Sequence, residues 1–196
     1  MSKDIKSEKN LFIILSSIMG IVIIISNYLV QFPINKFNLQ DTLTYGAFSY
    51  PITFLITDLA NRRFGKKEAR KLVYIGFTAG ILLTVFVSTN FQDIISIRIA
   101  VGSGTAFLAA QLVDIEIFQR LTKNKWFVAP ITSSITGSVI DTFLFFSIAF
   151  LGTGISWITL ACGDLLVKLL MAFLMLIPFR LLMFKVRDLN AKKYIA

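Results

Sequence analysis

The 196-residue sequence contains no histidine and one cysteine, Cys162. The first absence excludes histidine-based metal sites and catalytic triads, and the second an internal disulfide. Spacings of the CxxC or HExxH kind are also missing, so no metal and no cofactor is implied. Without a GxxxxGK[ST] stretch the chain cannot hydrolyse ATP through a P-loop. Gly163-Asp164 lacks the flanking glycine and the second motif of an intramembrane aspartyl protease. Acids are scarce, 11 against 20 Lys and Arg, which leaves a formal net charge of +9.

What is abundant is apolar. Hydrophobic residues make up 56% of the chain and the mean hydropathy is +0.75, too high for a soluble domain of this size. The basic residues lie between apolar segments and form no single face. They are therefore read as a topology signal in a lipid bilayer, not as a surface for nucleic acid.

Six apolar segments are long enough to cross a core of roughly 30 Å. They run over residues 11–30, 43–61, 71–89, 94–121, 127–151 and 155–183. The expected fold is an all-α polytopic membrane protein with six transmembrane helices. Residues 1–10 form a cytoplasmic N-terminal segment, 11–184 the transmembrane domain and 185–196 a cytoplasmic tail. The first segment is too long for a signal-peptide core and no cleavage pattern follows, so it is read as an uncleaved helix. Basic residues number 17 on one set of loops and ends and one, Lys36, on the other. Both termini are accordingly expected in the cytoplasm. Three spans in each half permit an inverted three-plus-three repeat, although the halves share no convincing sequence identity.

The chain is organised around TYGAFSYPITFLITDLANRRFGKKEARK, residues 44–71, where an apolar run meets Asp58 and ends in a basic cluster. An acid just inside the membrane exit is costly unless it is paired or useful. Asp58 is a candidate for gating or proton relay; pairing with Arg62, one turn on, is the plainer alternative. Asp114 and Arg98 join it as candidates on the fourth helix, near the inner and outer surfaces. At ~1.5 Å per residue, Asp141, Asp164 and Lys168 fall within roughly 4 Å of the midplane. Asp164 and Lys168 are four apart and can neutralise each other along one face. Asp141 has no opposite charge on its own helix; it either packs through hydrogen bonds or meets substrate. Asn27 and Gln31 share a face of the first helix, the unusually polar fourth carries Gln111, and Tyr50 and Phe54 offer flat surfaces. These eight residues are the candidate substrate site.

The order of Gly46, Pro51, Phe54, Asp58, Gly65, Ala69 and Arg70 resembles the signature of the queuosine precursor transporters, also called the vitamin uptake transporter family. The resemblance extends from about Ser26 to Arg180. It takes in SNYLVQFPI at 26–34, RIA at 98–100, QLVDIEIF at 111–118, then Ser133, Asp141, Thr142 and FFSIAF, and finally Asp164 with Lys168. Arg62 departs from it, since many members carry Glu there, and no role of that acid transfers. The resemblance implies import of a 7-deazaguanine, 7-cyano-7-deazaguanine and/or 7-aminomethyl-7-deazaguanine, across the bacterial inner membrane for tRNA queuosine modification. It implies no enzyme activity, no direct contact with nucleic acid and compatibility with a homo-oligomer.

The residues suit that substrate class without singling it out. A deazaguanine presents N1–H and an exocyclic amine side by side, two donors that one carboxylate can accept. The same residues would serve another small heterocycle, a vitamin or a proton-linked amine. A substrate-capture subunit of an ATP-energised vitamin or nucleobase uptake system also fits, as does a small membrane enzyme or scaffold. Transport by the chain alone in liposomes separates the first alternative, and activity without net movement of substrate the second.

Overall fold

A computed structural model describes residues 3–29, 32, 34, 43–88 and 94–183. Among them every regular element is a helix: α1 Lys3–Leu29, α2 Gly46–Ser49, α3 Pro51–Phe64, α4 Lys66–Ser88, α5 Ile94–Leu121, α6 Val128–Phe150 and α7 Trp157–Met183. Six of the seven have 14 residues or more. Four are long and apolar enough to cross a membrane: Glu8–Leu29 within α1, then α5, α6 and α7. Gln31, the loop carrying Lys36 and the 185–196 tail lie outside the described residues.

Two elements differ from expectation for local reasons. The second expected helix is divided at Pro51, which opens α3 without a backbone N–H to give. The basic cluster is helical as well, so α4 begins at Lys66 and not at Lys71. Lys, Arg and Glu are good helix formers, and charge alone does not end a helix. Between α3 and α4 stands only Gly65, with φ 81 and ψ 173, a conformation essentially confined to glycine.

The bundle inverts the usual distribution of polarity. Ile13, Ile14, Ile18, Ile21 and Ile25 of α1 face outward, as do Leu166, Leu170, Phe173, Ile177 and Leu181 of α7. Inside lie Asp58, Asp114, Asp141, Asp164, Lys168, Gln111 and Asn27, all less than 9% exposed. In water that arrangement exposes oil and dehydrates charge; in lipid both faces are matched. Helix α3 occupies the centre, packing against α1, α4, α5, α6 and α7, with nine of its fourteen residues buried. One apolar cluster joins α1, α3, α4 and α5 through Met19, Ile56, Leu72 and Phe107. Two smaller ones close the α6 and α7 side, around Phe118 with Phe179 and around Phe145 with Ala161.

Candidate functional site

The buried charges meet where α6 and α7 face each other. Lys168 Nζ lies 2.8 Å from Asp141 Oδ2, 2.5 Å from Asp164 Oδ2 and 3.2 Å from Thr142 Oγ1. Thr142 in turn donates to Asp164 Oδ2 at 2.8 Å. An ammonium has three protons, and here all three have acceptors. Lys168 therefore serves both carboxylates: the pairing expected along α7 is present, and Asp141 gains a cation from the neighbouring helix. With all three groups ionised the cluster carries one net negative charge.

Asp141 and Asp164 each have their second oxygen, Oδ1, without a protein donor among the described residues and not fully enclosed. Both residues border a small cavity of about 20 Å³, lined also by Asn27, Gly46, Tyr50, Ser103, Phe145 and Lys168. That space holds about one water. Polar groups on the facing wall are linked. Ser103 donates to Asn27 Oδ1 at 2.8 Å, and the Tyr50 hydroxyl and Ser103 share a bond of 3.1 Å. Lys168 Nζ stands 5.5 Å from the centre of the Tyr50 ring. A larger hollow of 570 Å³ between α4 and α5 is walled by Phe77, Ile81, Val101 and Leu108, and offers a polar base almost nothing.

A buried hydrophilic pocket inside an apolar bundle is a carrier's architecture, and the comparisons agree. The family model described as "Putative vitamin uptake transporter" matches residues 44–183. The chain belongs to this family. A "Probable queuosine precursor transporter" of Haemophilus influenzae is 32% identical over 188 residues, covering 80% of this chain and 79% of that protein. The "Queuosine precursor transporter" of Escherichia coli is 32% identical over 177 residues, with 81% and 79% covered. A Bacillus subtilis relative is 28% identical over 132 residues, with 57% and 58% covered. All three are named as transporters, and none as an enzyme. No solved structure matches the chain.

Of the residues expected at this transporter's substrate site, Asn27, Tyr50, Asp141, Asp164 and Lys168 come together at the cavity. Phe54 and Gln111 do not line it. Phe54 is buried against Gly137, and Gln111 bridges α5 to α3, accepting from Thr57 Oγ1 at 2.5 Å and donating to Thr53 Oγ1 at 2.9 Å. Arg98 is far from both, donating to the carbonyls of Ile148 and Leu151 at 2.9 and 2.8 Å and so capping α6. Asp58 and Asp114 lie together between α3, α5 and α6. Arg62 is directed instead to the carbonyl of Thr122 at 3.5 Å, so the Asp58–Arg62 pairing does not form. Ser103 and Thr142 were not among the expected site residues. The first is hidden in the small-residue run Gly102-Ser103-Gly104. The second enters only through the family resemblance, beside Asp141 and with no site role.

Proposed function

We propose that the chain imports queuosine precursors, 7-cyano-7-deazaguanine and/or 7-aminomethyl-7-deazaguanine, across the bacterial inner membrane through six spans. The observation that carries this reading is the Asp141–Lys168–Asp164 cluster with two carboxylate oxygens left without protein donors beside the cavity. Such oxygens accept the N1–H and exocyclic amine of a guanine-like edge, while Tyr50 offers a ring face. Phe54 and Gln111 support the wall from behind. The Haemophilus influenzae and Escherichia coli relatives are named for transport of a queuosine precursor, which supports the class but not the individual base. Binding of such a base requires the cavity of about 20 Å³ to widen.

The test is the queuosine content of tRNA in cells that cannot make the precursor, fed each base, with and without this chain. Restoration by the chain at low external base is expected; no difference from empty cells defeats the reading. Uptake by the purified chain in liposomes is also expected. Binding without uptake there would assign it instead as the capture subunit of an ATP-energised system.

A further inference from the structure

Beneath the cavity, toward the basic end of the bundle, lies a second buried polar site that the substrate reading does not use. Asp58 on α3 is 2% exposed and Asp114 on α5 is 0% exposed. The two carboxyl groups are electrostatic neighbours, and both lie beside the Ser133 hydroxyl. Among the described residues neither oxygen of Asp114 has a donor in hydrogen-bonding geometry, although both are wholly enclosed and Ser133 is nearby. The one proton of Ser133 points to Asp58 Oδ1 and to the Pro130 carbonyl, each at 3.4 Å, and Ser134 is the other hydroxyl at hand.

The charges on the surrounding helices are engaged elsewhere. Arg62 of α3 is directed to Thr122, and Arg63 to Glu8 of α1 at 3.2 Å. Lys66 and Arg70 of α4 and Arg120 of α5 converge on Glu116. On α7, Arg180 stacks over Trp126 and Lys168 belongs to the cavity cluster. No charged side chain of α6 other than Asp141, itself bonded to Lys168, contributes. Among the described residues no cation reaches Asp58 or Asp114 within salt-bridge distance.

Two ionised carboxylates enclosed together without a cation repel each other strongly, and the Ser133 hydroxyl at 3.4 Å from Asp58 is too little donation for two buried anions. One proton resolves both defects. A protonated carboxyl donates O–H···O to its neighbour, and the pair then carries a single negative charge. We propose that Asp58 and Asp114 hold one exchangeable proton between them, and that its binding and release drive transport.

The coupling route is a polar seam between α3 and α5. It starts at the cavity with Tyr50 and Ser103, passes through Thr53, Gln111 and Thr57, and reaches Asp58 facing Asp114. It ends where Asn61 donates to the Ile115 carbonyl at 2.9 Å. From Tyr50 to Asp58 is about 12 Å along α3. Loss of the proton sets two anions against each other across this seam, and separation of α3 from α5 opens the cavity wall that Tyr50 and Ser103 form. Reprotonation lets the seam close. A ligand drives such a change only through different affinity for the two arrangements, and the shared proton has that difference.

The proton proposal rests on the substrate reading only for the identity of the cargo, so the experiment has two arms. In the first, the full chain in lipid nanodiscs is followed by infrared spectroscopy. At neutral pH a protonated-carboxyl band is expected and should disappear in Asp58→Asn/Asp114→Asn. Its absence from the unsubstituted chain overturns the proposal, and persistence in the double variant assigns the proton to another group and overturns it too. In the second arm, proteoliposomes are loaded with 7-cyano-7-deazaguanine for counterflow and separately given a pH gradient or a sodium gradient. The ratio of pH-driven uptake to counterflow should fall at least about tenfold in either Asn variant, the scale of a typical coupling free energy. Uptake that follows sodium and ignores the pH gradient overturns the proposal. Absence of counterflow in the unsubstituted chain defeats the substrate reading, while the infrared arm still decides the proton. Should one Asn chain fail to fold, the other single variant interrogates the same pair.

Discussion

At Lys168 one ammonium satisfies two carboxylates and a hydroxyl in a site where all three charged side chains are nearly enclosed. Its removal differs in kind from removal of either acid. Lys168→Met leaves Asp141 and Asp164 buried against each other with no cation, a loss expected at about 3–5 kcal/mol. A pair confined to α7 would be rescued by adding Asp164→Leu. A triad is not, because Asp141 then remains uncompensated, so the double variant should stay well below the unsubstituted chain in thermal unfolding. Asp141→Asn keeps the shape and leaves Lys168 paired with Asp164, and its unfolding midpoint should shift little. It also places an amide N–H beside the donors of the base. With a lost bond worth about 1–3 kcal/mol, titration calorimetry should find at least about a tenfold weaker complex with 7-cyano-7-deazaguanine. Unchanged affinity would remove Asp141 from the site.

At the scale of the elements, α1 and α4 approach through two glycines. A Cβ at Gly76 would stand 2.4 Å from Met19 Cγ, and one at Gly80 2.4 Å from Ile23 Cγ2 and 2.9 Å from Ile23 Cβ. Distance alone ranks the two equally; stiffness does not. Methionine swings aside, whereas isoleucine is branched at Cβ and held in one rotamer. Gly76→Ala should be close to neutral, its strain offset by about 1 kcal/mol of helix propensity. Gly80→Ala should cost about 1–3 kcal/mol of overpacking, and Ile23→Ala in the same chain should recover part of it. Equal unfolding midpoints for the two single variants would show that α1 shifts as a body instead. These close approaches are invisible in the sequence, where Gly76 and Gly80 read as ordinary small residues. The spans themselves were legible wherever an apolar run ended in punctuation. The expected 94–121 matches α5, while 127–151 and 155–183 miss α6 and α7 by at most two residues. Legibility failed at Lys66–Arg70 and Lys3–Asn10, because charged residues end a membrane run without ending a helix. In the site, Asp164 with Lys168 was readable from i,i+4 spacing. The bond from Lys168 to Asp141 and the facing of Asp58 with Asp114 depend on helix rotation, which spacing within one helix does not encode.

Over the whole molecule, long-range contacts sort the helix ends into two groups. Glu8 of α1 bonds Arg63 at the end of α3, and Glu116 near the end of α5 gathers Lys66 and Arg70 from the start of α4. Arg180 at the end of α7 stacks on Trp126, just before α6. These ends share one side of the bundle and carry the basic residues. Arg98 at the start of α5 holds the end of α6, which puts those two on the opposite side. Helices α2 and α3 with Tyr50 between them cover residues 46–64, about 28 Å at helical rise, a length close to the roughly 30 Å of a bilayer core. On the proposed six-span reading the ends alternate, and 17 basic residues against one would place the basic side in the cytoplasm. With Cys162 changed to Ser, Lys67→Cys should resist a membrane-impermeant thiol reagent in spheroplasts and react after lysis, whereas Ser156→Cys should react in both. Labelling of Lys67→Cys from outside would reverse the orientation. Protection of both positions would place Lys67 and Ser156 on the same side and break the alternation on which the six-span reading stands.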